Sequence, residues 1–315
     1  MAGCPICKAG DCGSLFSAHD DRYAFPGIFR INRCDCCSHT FIKSSSDLTG
    51  HTRLYTDYYP RGSYDLKGFQ PKAFPDGFTA WLNGDACAAG RWVPPKVRIL
   101  DIGSGFGENL AYHLRRGCDA FGVEMDENVR ATAERFHFKV HIGPFDPDNY
   151  HPGFFDWVTL QQVIEHVENP VETLRGIAQV LRPGGTAVIS TPNANGWGAR
   201  VFGRRWINWH VPYHCNFFSR CSMQRAAKAA GLQIEGVQTV TSSEWLRYQW
   251  AHLLTYPVEG EPSPFWSPSG RRTLTVRIGL KLFDTLHYAR INHLLTRLFD
   301  SLGVGDNFLF LLKKS

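Results

Sequence analysis

The segment Val97-Arg-Ile-Leu-Asp101-Ile-Gly103-Ser-Gly105-Phe-Gly107-Glu108-Asn-Leu110 constrains this chain more than any other. A short run of β-branched and apolar residues ends in glycines, and apolar residues then recur at helical spacing. Strand, tight turn and helix in that order open a nucleotide-binding α/β unit, where missing Cβ atoms let backbone approach a ligand. Glycine spacing narrows the ligand. A dinucleotide fingerprint, G-x-G-x-x-G, requires glycine at position 108, where this chain has Glu108. The glycines instead alternate after an acid: Asp101, Gly103, Gly105, Gly107.

From residue 96 onward, strand and helix patterns alternate, which is the signature of a parallel sheet with both faces covered. Strands are expected at 97–102, 120–124, 139–142, 155–160, 186–190, 232–240 and 307–312. Helices are expected at about 107–116 with Gly117 closing the first, at 128–136, from Pro170 to Leu181, and at 221–230 before Gly231. Pro183-Gly184-Gly185 reads as the turn into the fifth strand.

The N-terminal cysteines are a second strong signal. Cys4-Pro-Ile-Cys7 and Cys34-Asp-Cys-Cys37 form two C-x2-C knuckles with 26 residues between them. Two such knuckles complete a tetrahedral zinc site, and four thiolates leave no open coordination position, so the expected role is structural. Cys36 and His39 are substitute ligands, and residues 23–33 read as a hairpin arm of a zinc ribbon.

The glycine pattern resembles the first motif of class I S-adenosylmethionine methyltransferases. Asp156-Trp-Val-Thr-Leu-Gln-Gln-Val-Ile-Glu165-His166-Val-Glu-Asn-Pro170 is similar to their segment after strand 4, and Leu181 to Asn193 to their strand-5 segment. The knuckles followed by Tyr55-Thr-Asp-Tyr58-Tyr59 resemble a bacterial subset with an N-terminal zinc ribbon. The resemblance implies a Rossmann-like α/β sheet, parallel with one antiparallel strand, plus the small ribbon. On that basis the ribbon spans 1–45, a helical cap or linker 46–95, the core 96–240 and 307–315, and a helical lid 241–306. Pro94-Pro95 marks the start of the core.

S-adenosylmethionine would then lie along Asp101, Gly103, Gly105 and Gly107. Glu124, at the end of strand 2, is placed to accept ribose hydroxyls. Phe145 and Asp146 follow strand 3, where adenine is bracketed, and Gln161 and Gln162 follow strand 4, facing the methionine moiety. Glu165, His166 and His214 are the candidates for acceptor chemistry, with His210 a lesser one. Glu-His followed by His214-x-x-x-x-Ser219 resembles the O-methyltransferases of ubiquinone biosynthesis and plant small-RNA 2′-O-methyltransferases, in which a divalent ion such as magnesium bridges these residues and the acceptor. This chain has Gln162 where those enzymes carry another glutamate, so His166 as a simple general base stands beside the metal reading.

The expected function is methyl transfer to a hydroxyl of a small molecule or glycan. A sugar C-methyltransferase, or a ribbon-bearing binding protein with an inactive core, are the alternatives. A net charge of +5 is too weak to imply nucleic acid. No leader peptide or run of about 18 apolar residues is seen, so a cytoplasmic enzyme is expected. Between 272 and 302, leucines recur at helical intervals with basic residues among them. The lid should bury that face against the core, while peripheral membrane contact is the other reading.

Overall fold

The structure, a computed structural model, describes residues 3–42, 54–58, 66–267, 270 and 272–315. Cys12–Ala18 (β1) and Phe29–Cys34 (β2) form an antiparallel hairpin, and Thr40–Ile42 (β3) pairs beside β2. The hairpin arm therefore starts at Cys12, not Tyr23. Residues 19–28 are a loop held by Asp20, whose carboxylate accepts the backbone N–H groups of Arg22, Tyr23 and Phe25. An aspartate that captures its own downstream backbone competes with strand formation there.

The linker is built from short helical pieces: one turn at Leu54–Tyr58, helix α1 (Gly77–Asn83) and single turns at Asp85–Cys87 and Ala89–Trp92. Tyr59 lies outside the described residues.

The core strands are Arg98–Ile102 (β4), Asp119–Glu124 (β5), Lys139–Ile142 (β6), Phe155–Gln161 (β7) and Leu181–Pro192 (β8). Asn216–Phe217 (β9) belongs elsewhere, and Leu232–Val240 (β10) and Asn307–Lys314 (β11) complete the core sheet. Its order is β10-β11-β8-β7-β4-β5-β6. All pairs are parallel except the two made by β11, which runs against both β8 and β10. Central strands read as continuous apolar runs because both their faces are dry, and Leu100, Val158, Leu160, Ile189 and Phe310 are fully buried. Strand β8 begins earlier than the sequence suggests. Between the pairs Phe155–Leu181 and Trp157–Thr186, four residues of β8 stand against one of β7, so Pro183-Gly184-Gly185 bulges within the strand.

Helices α2 (Glu108–Arg115), α3 (Arg130–Phe136) and α4 (Pro170–Val180) follow β4, β5 and β7. The expected helix at 128–136 is split: Asp126 accepts Asn128 N–H and opens a single turn at Glu127–Val129 before α3. Next come α5 (Trp197–Phe202) and α6 (Arg220–Ala229), the latter opened by a capping box between Ser219 and Ser222.

The segment 241–306 holds three helices, α7 (Ser243–Leu254), α8 (Leu274–Tyr288) and α9 (Ile291–Ser301). The expectation that its leucines face the core is corrected here. Leu274, Ile278, Leu282, Leu294, Leu298 and Leu302 are all exposed. Among the described residues no helix is long and apolar enough to cross a membrane.

Strand β9 pairs with β3, so the ribbon sheet reads β1-β2-β3-β9 and takes its last strand from the segment after β8. Ribbon and core are thus joined by backbone hydrogen bonds.

Candidate active site

The carboxyl ends of parallel strands point their C-terminal loops at one crevice, where α/β sheets keep ligands. The loop after β4 occupies that position. Gly103 has φ +78°, and a Cβ there would sit 2.4 Å from Val163 Cγ2, so this glycine serves close packing. Gly105 has φ +54° and nothing within 4 Å of a would-be Cβ. It borders open space, as a residue under a ligand must. Gly107 (φ +94°) lies against the Phe138 ring and starts α2.

Glu124 ends β5 beside this loop. Its Oε2 accepts Gly105 N–H (2.9 Å), and Oε1 accepts the N–H groups of Met125 (2.7 Å) and Asp126 (3.1 Å). A carboxylate has about four lone-pair sites, so capacity for a hydroxyl remains.

Asp101 lies beneath the loop. Its Oδ1 accepts from Thr159 Oγ1 (2.7 Å), and Oδ2 is buried with no hydrogen-bond partner among the described residues. Burial pushes its carboxyl up to about 7. The fold therefore favours the protonated form: the associated stability is complete below about 4 and is lost as pH rises to about 7. Asp101→Asn is expected to flatten that decline, measured as urea midpoints from pH 4 to 8. An unchanged slope would contradict the assignment.

The other expected cofactor contacts are placed unevenly. The Phe145 ring rests on Gly176 of α4, and Asp146 is exposed, accepting Asp148 N–H (3.0 Å). Gln161 Oε1 accepts Ala89 N–H (2.5 Å), which ties the end of β7 to the linker. Gln162, at φ +55°, donates to Ser190 Oγ (3.0 Å) and Asn307 Oδ1 (3.3 Å).

Beyond Gln162, the candidates Glu165, His166 and His214 converge. One ligand atom from each lies within 4.8 Å of the others. His166 Nδ1 donates to Tyr213 O (2.9 Å) and His214 Nδ1 to Asn208 O (2.8 Å). Both bonds set the neutral tautomer with its lone pair on Nε2, the second-sphere arrangement typical of metal-binding histidines. Glu165 Oε2 accepts from Thr191 Oγ1 (2.9 Å), while Oε1 is buried and has no partner among the described residues. Burial raises the Glu165 carboxyl to about 8 and lowers the His166 imidazole to about 4; the His214 and His210 imidazoles are also lowered by burial. His210 stacks on Tyr213 and meets His214 edge-on at 5.0 Å.

Sequence reasoning missed Arg22. It is buried, its Nη2 donates to Ile207 O (2.6 Å), and its guanidinium lies 4.2 Å from the Trp266 ring centre. Its charge helps depress all three imidazoles. No local pattern marks a residue of the ribbon loop as a neighbour of position 207.

The ribbon also reaches the cluster through its backbone. The N–H groups of Cys215 and Asn216 both donate to Glu165 O (2.9 and 3.0 Å), and Asn216 Nδ2 donates to Val167 O (2.6 Å). Asn216 Oδ1 in turn meets buried His39 Nε2 (2.9 Å). His39 thus braces β9, and the cluster of four cysteine sulfurs forms without it. Cys36 is exposed beside Arg225.

The Sγ atoms of Cys4, Cys7, Cys34 and Cys37 lie within 4.8 Å of one another, with Cys4–Cys37 and Cys7–Cys34 each at 3.5 Å. None is in a disulfide. Zn–S bonds of about 2.3 Å in a tetrahedron place sulfurs a little under 4 Å apart, so this donor set fits zinc.

Residues 71–237 match the family model described as "Methyltransferase domain". The ubiquinone biosynthesis O-methyltransferase of Aeromonas salmonicida is 30% identical over 162 residues, 45% of this chain and 66% of that protein. The protein of the same name from Azoarcus sp. is 27% identical over 175 residues, 51% and 72%. An S-adenosylmethionine-dependent methyltransferase of Mesorhizobium loti superposes with a TM-score of 0.46 at 17% identity, over 76% of this chain and 100% of that one. The family match covers more than half of the chain and contains the glycine loop, Glu124 and the Glu165-His166 pair, and with it the chain belongs to the methyltransferase-domain family as an S-adenosylmethionine-dependent methyltransferase.

Proposed function

We propose that this enzyme transfers a methyl group to a hydroxyl of a small molecule, with Glu165, His166 and His214 holding a divalent cation at the acceptor position. The observation that carries this reading is the buried Glu165 Oε1, without a partner among the described residues, beside two imidazoles whose lone pairs lie on Nε2. A buried carboxylate oxygen with no donor is costly unless a cation meets it. A cation here would offset the charge of a deprotonated hydroxyl. Two imidazoles and one carboxylate suit manganese, iron, cobalt or zinc better than magnesium, which prefers all-oxygen sites. The names of the two curated relatives, both O-methyltransferases of ubiquinone biosynthesis, favour a hydroxyl acceptor over a carbon one.

Methyl transfer from a sulfonium is an in-line displacement, so the protein's main task is alignment. In this reading Gly105 and Glu124 seat the donor, while the cluster after β7 and β8 orients the acceptor oxygen. Four thiolates at Cys4, Cys7, Cys34 and Cys37 would hold a separate, structural zinc.

Glu124→Ala is expected to weaken S-adenosylmethionine binding about 10- to 100-fold, the loss of one or two charge-assisted hydrogen bonds. Calorimetry giving an unchanged affinity would refute the placement of the ribose. For the acceptor site, activity is tested against a panel of phenols, catechols and glycans after chelation and readdition of single metals. Full turnover in the chelated enzyme, with ribbon zinc retained, would contradict the cation.

A further inference from the structure

Helix α9 is built inside out, while α8 packs Phe283 on Trp250 of α7 and leaves a second apolar stripe exposed. In α9 the buried side is polar: Asn292 and Thr296 are 1% and 0% exposed, and Arg297 pairs with Asp300 at 2.8 Å. Asn292 Oδ1 accepts from Trp250 Nε1 of α7 (3.2 Å), and Arg297 donates to Trp81 O and Thr241 O. The outward side is Ile291, Leu294, Leu298 and Leu302, with the three leucines 62%, 58% and 66% exposed. In α8, Leu274, Ile278 and Leu282 recur every fourth residue on one face and are 74%, 62% and 55% exposed. An ordinary lid buries such a stripe and exposes its arginines and asparagines. Exposed apolar stripes on two consecutive helices that pack together mark a docking surface.

The charges around it select the occupant. Arg272, Arg277, Lys281 and Arg290 are exposed on or beside this face, and none forms an ion pair among the described residues. The only two acids between 272 and 302 are both engaged: Asp284 with Arg247 (2.8 Å) and Asp300 with Arg297. The surface is thus apolar with an uncompensated cationic border. Tyr288, 82% exposed, sits at the bend between the helices, suited to an apolar–aqueous boundary.

We propose that α8 and α9 lie on an anionic membrane surface, leucines in the acyl boundary and the four cations at the headgroups. A second copy docked through the same face would cover the leucines but would set these cations against their own like, whereas anionic headgroups satisfy both. Neither helix can cross a bilayer, so the contact is parallel to the surface.

The test is vesicle flotation of the full chain, using phosphatidylcholine vesicles with and without one quarter phosphatidylglycerol. The wild type should float with the anionic vesicles and bind pure phosphatidylcholine at least about tenfold more weakly, with the difference shrinking at 0.5 M salt. Leu294→Glu with Leu298→Glu should lower binding at least about tenfold, with wild-type melting and S-adenosylmethionine affinity. Arg277→Glu with Lys281→Glu should remove the preference for phosphatidylglycerol. Failure of the wild type to float, or unchanged flotation of the double leucine variant, would overturn the proposal. So would a concentration-dependent dimer, abolished by the leucine substitutions, in protein that ignores vesicles.

Discussion

Replacing Cys4 or Cys37 with serine is expected to leave the protein insoluble, or folded with a melting temperature lowered by more than about 10 °C. Structural zinc contributes about 10–16 kcal/mol in small zinc-finger domains, while a whole domain is stable by only about 5–15 kcal/mol. Even a third of that contribution is a shift of this size for a chain of a few hundred residues. The ribbon brings little core of its own, with Ile6, Ile31 and Phe41 among its few buried apolar side chains. The same substitution should also damage catalysis in whatever folds. β3 pairs with β9, and β9 clamps the backbone of Glu165 and Val167, so a loosened ribbon loosens the cluster. Differential scanning calorimetry, metal analysis and single-turnover methyl transfer read the three effects separately. A Cys4→Ser protein that melts like the wild type, from preparations in which neither contains zinc, would eliminate the structural zinc.

His214→Ala and Glu165→Gln are each expected to reduce methyl transfer by about 10³-fold or more while leaving S-adenosylmethionine affinity within about threefold. Loss of an electrostatic or acid–base contribution at a reacting oxygen costs about 10²–10⁴ in rate. The donor loop is elsewhere, on β4 and β5, and shares no hydrogen bond with either side chain. Glu165→Gln preserves shape and can keep the Thr191 contact, so it isolates the charge. If a cation is held there, both variants should lose the added metal that restores activity to chelated wild type. If His166 acts alone as base, Glu165→Gln should retain most activity, and that outcome would discard the cluster in favour of the simpler mechanism. The wild-type rate should show no fall near pH 6.5, because burial holds the His166 imidazole at about 4.

The sheet, the glycine loop and the two knuckles were legible because each rests on local chemistry. Alternating hydrophobic periods record which faces are dry, and glycines at 103, 105 and 107 all adopt positive φ. Paired C-x2-C spacing is local as well, and the four sulfurs meet as the spacing implies. The convergence of Glu165, His166 and His214 could also be read, since parallel strands send their carboxyl-terminal loops to one edge of the sheet.

Other features were decided by packing alone. The tie from β3 to β9 needs only three residues on one side and two on the other, too short for any period to reveal. Arg22 reaches the histidines because the loop after β1 folds onto residues 207–214, a contact 185 residues apart in the chain. The segment 241–306 shows the limit most clearly. Its helical repeat is plain in the sequence, but a repeat fixes only that one face differs from the other. Which face turns inward depends on what waits there, and at α9 Trp250, Trp81 O and Thr241 O await donors and acceptors, so the polar side is buried and the leucines are left in the open.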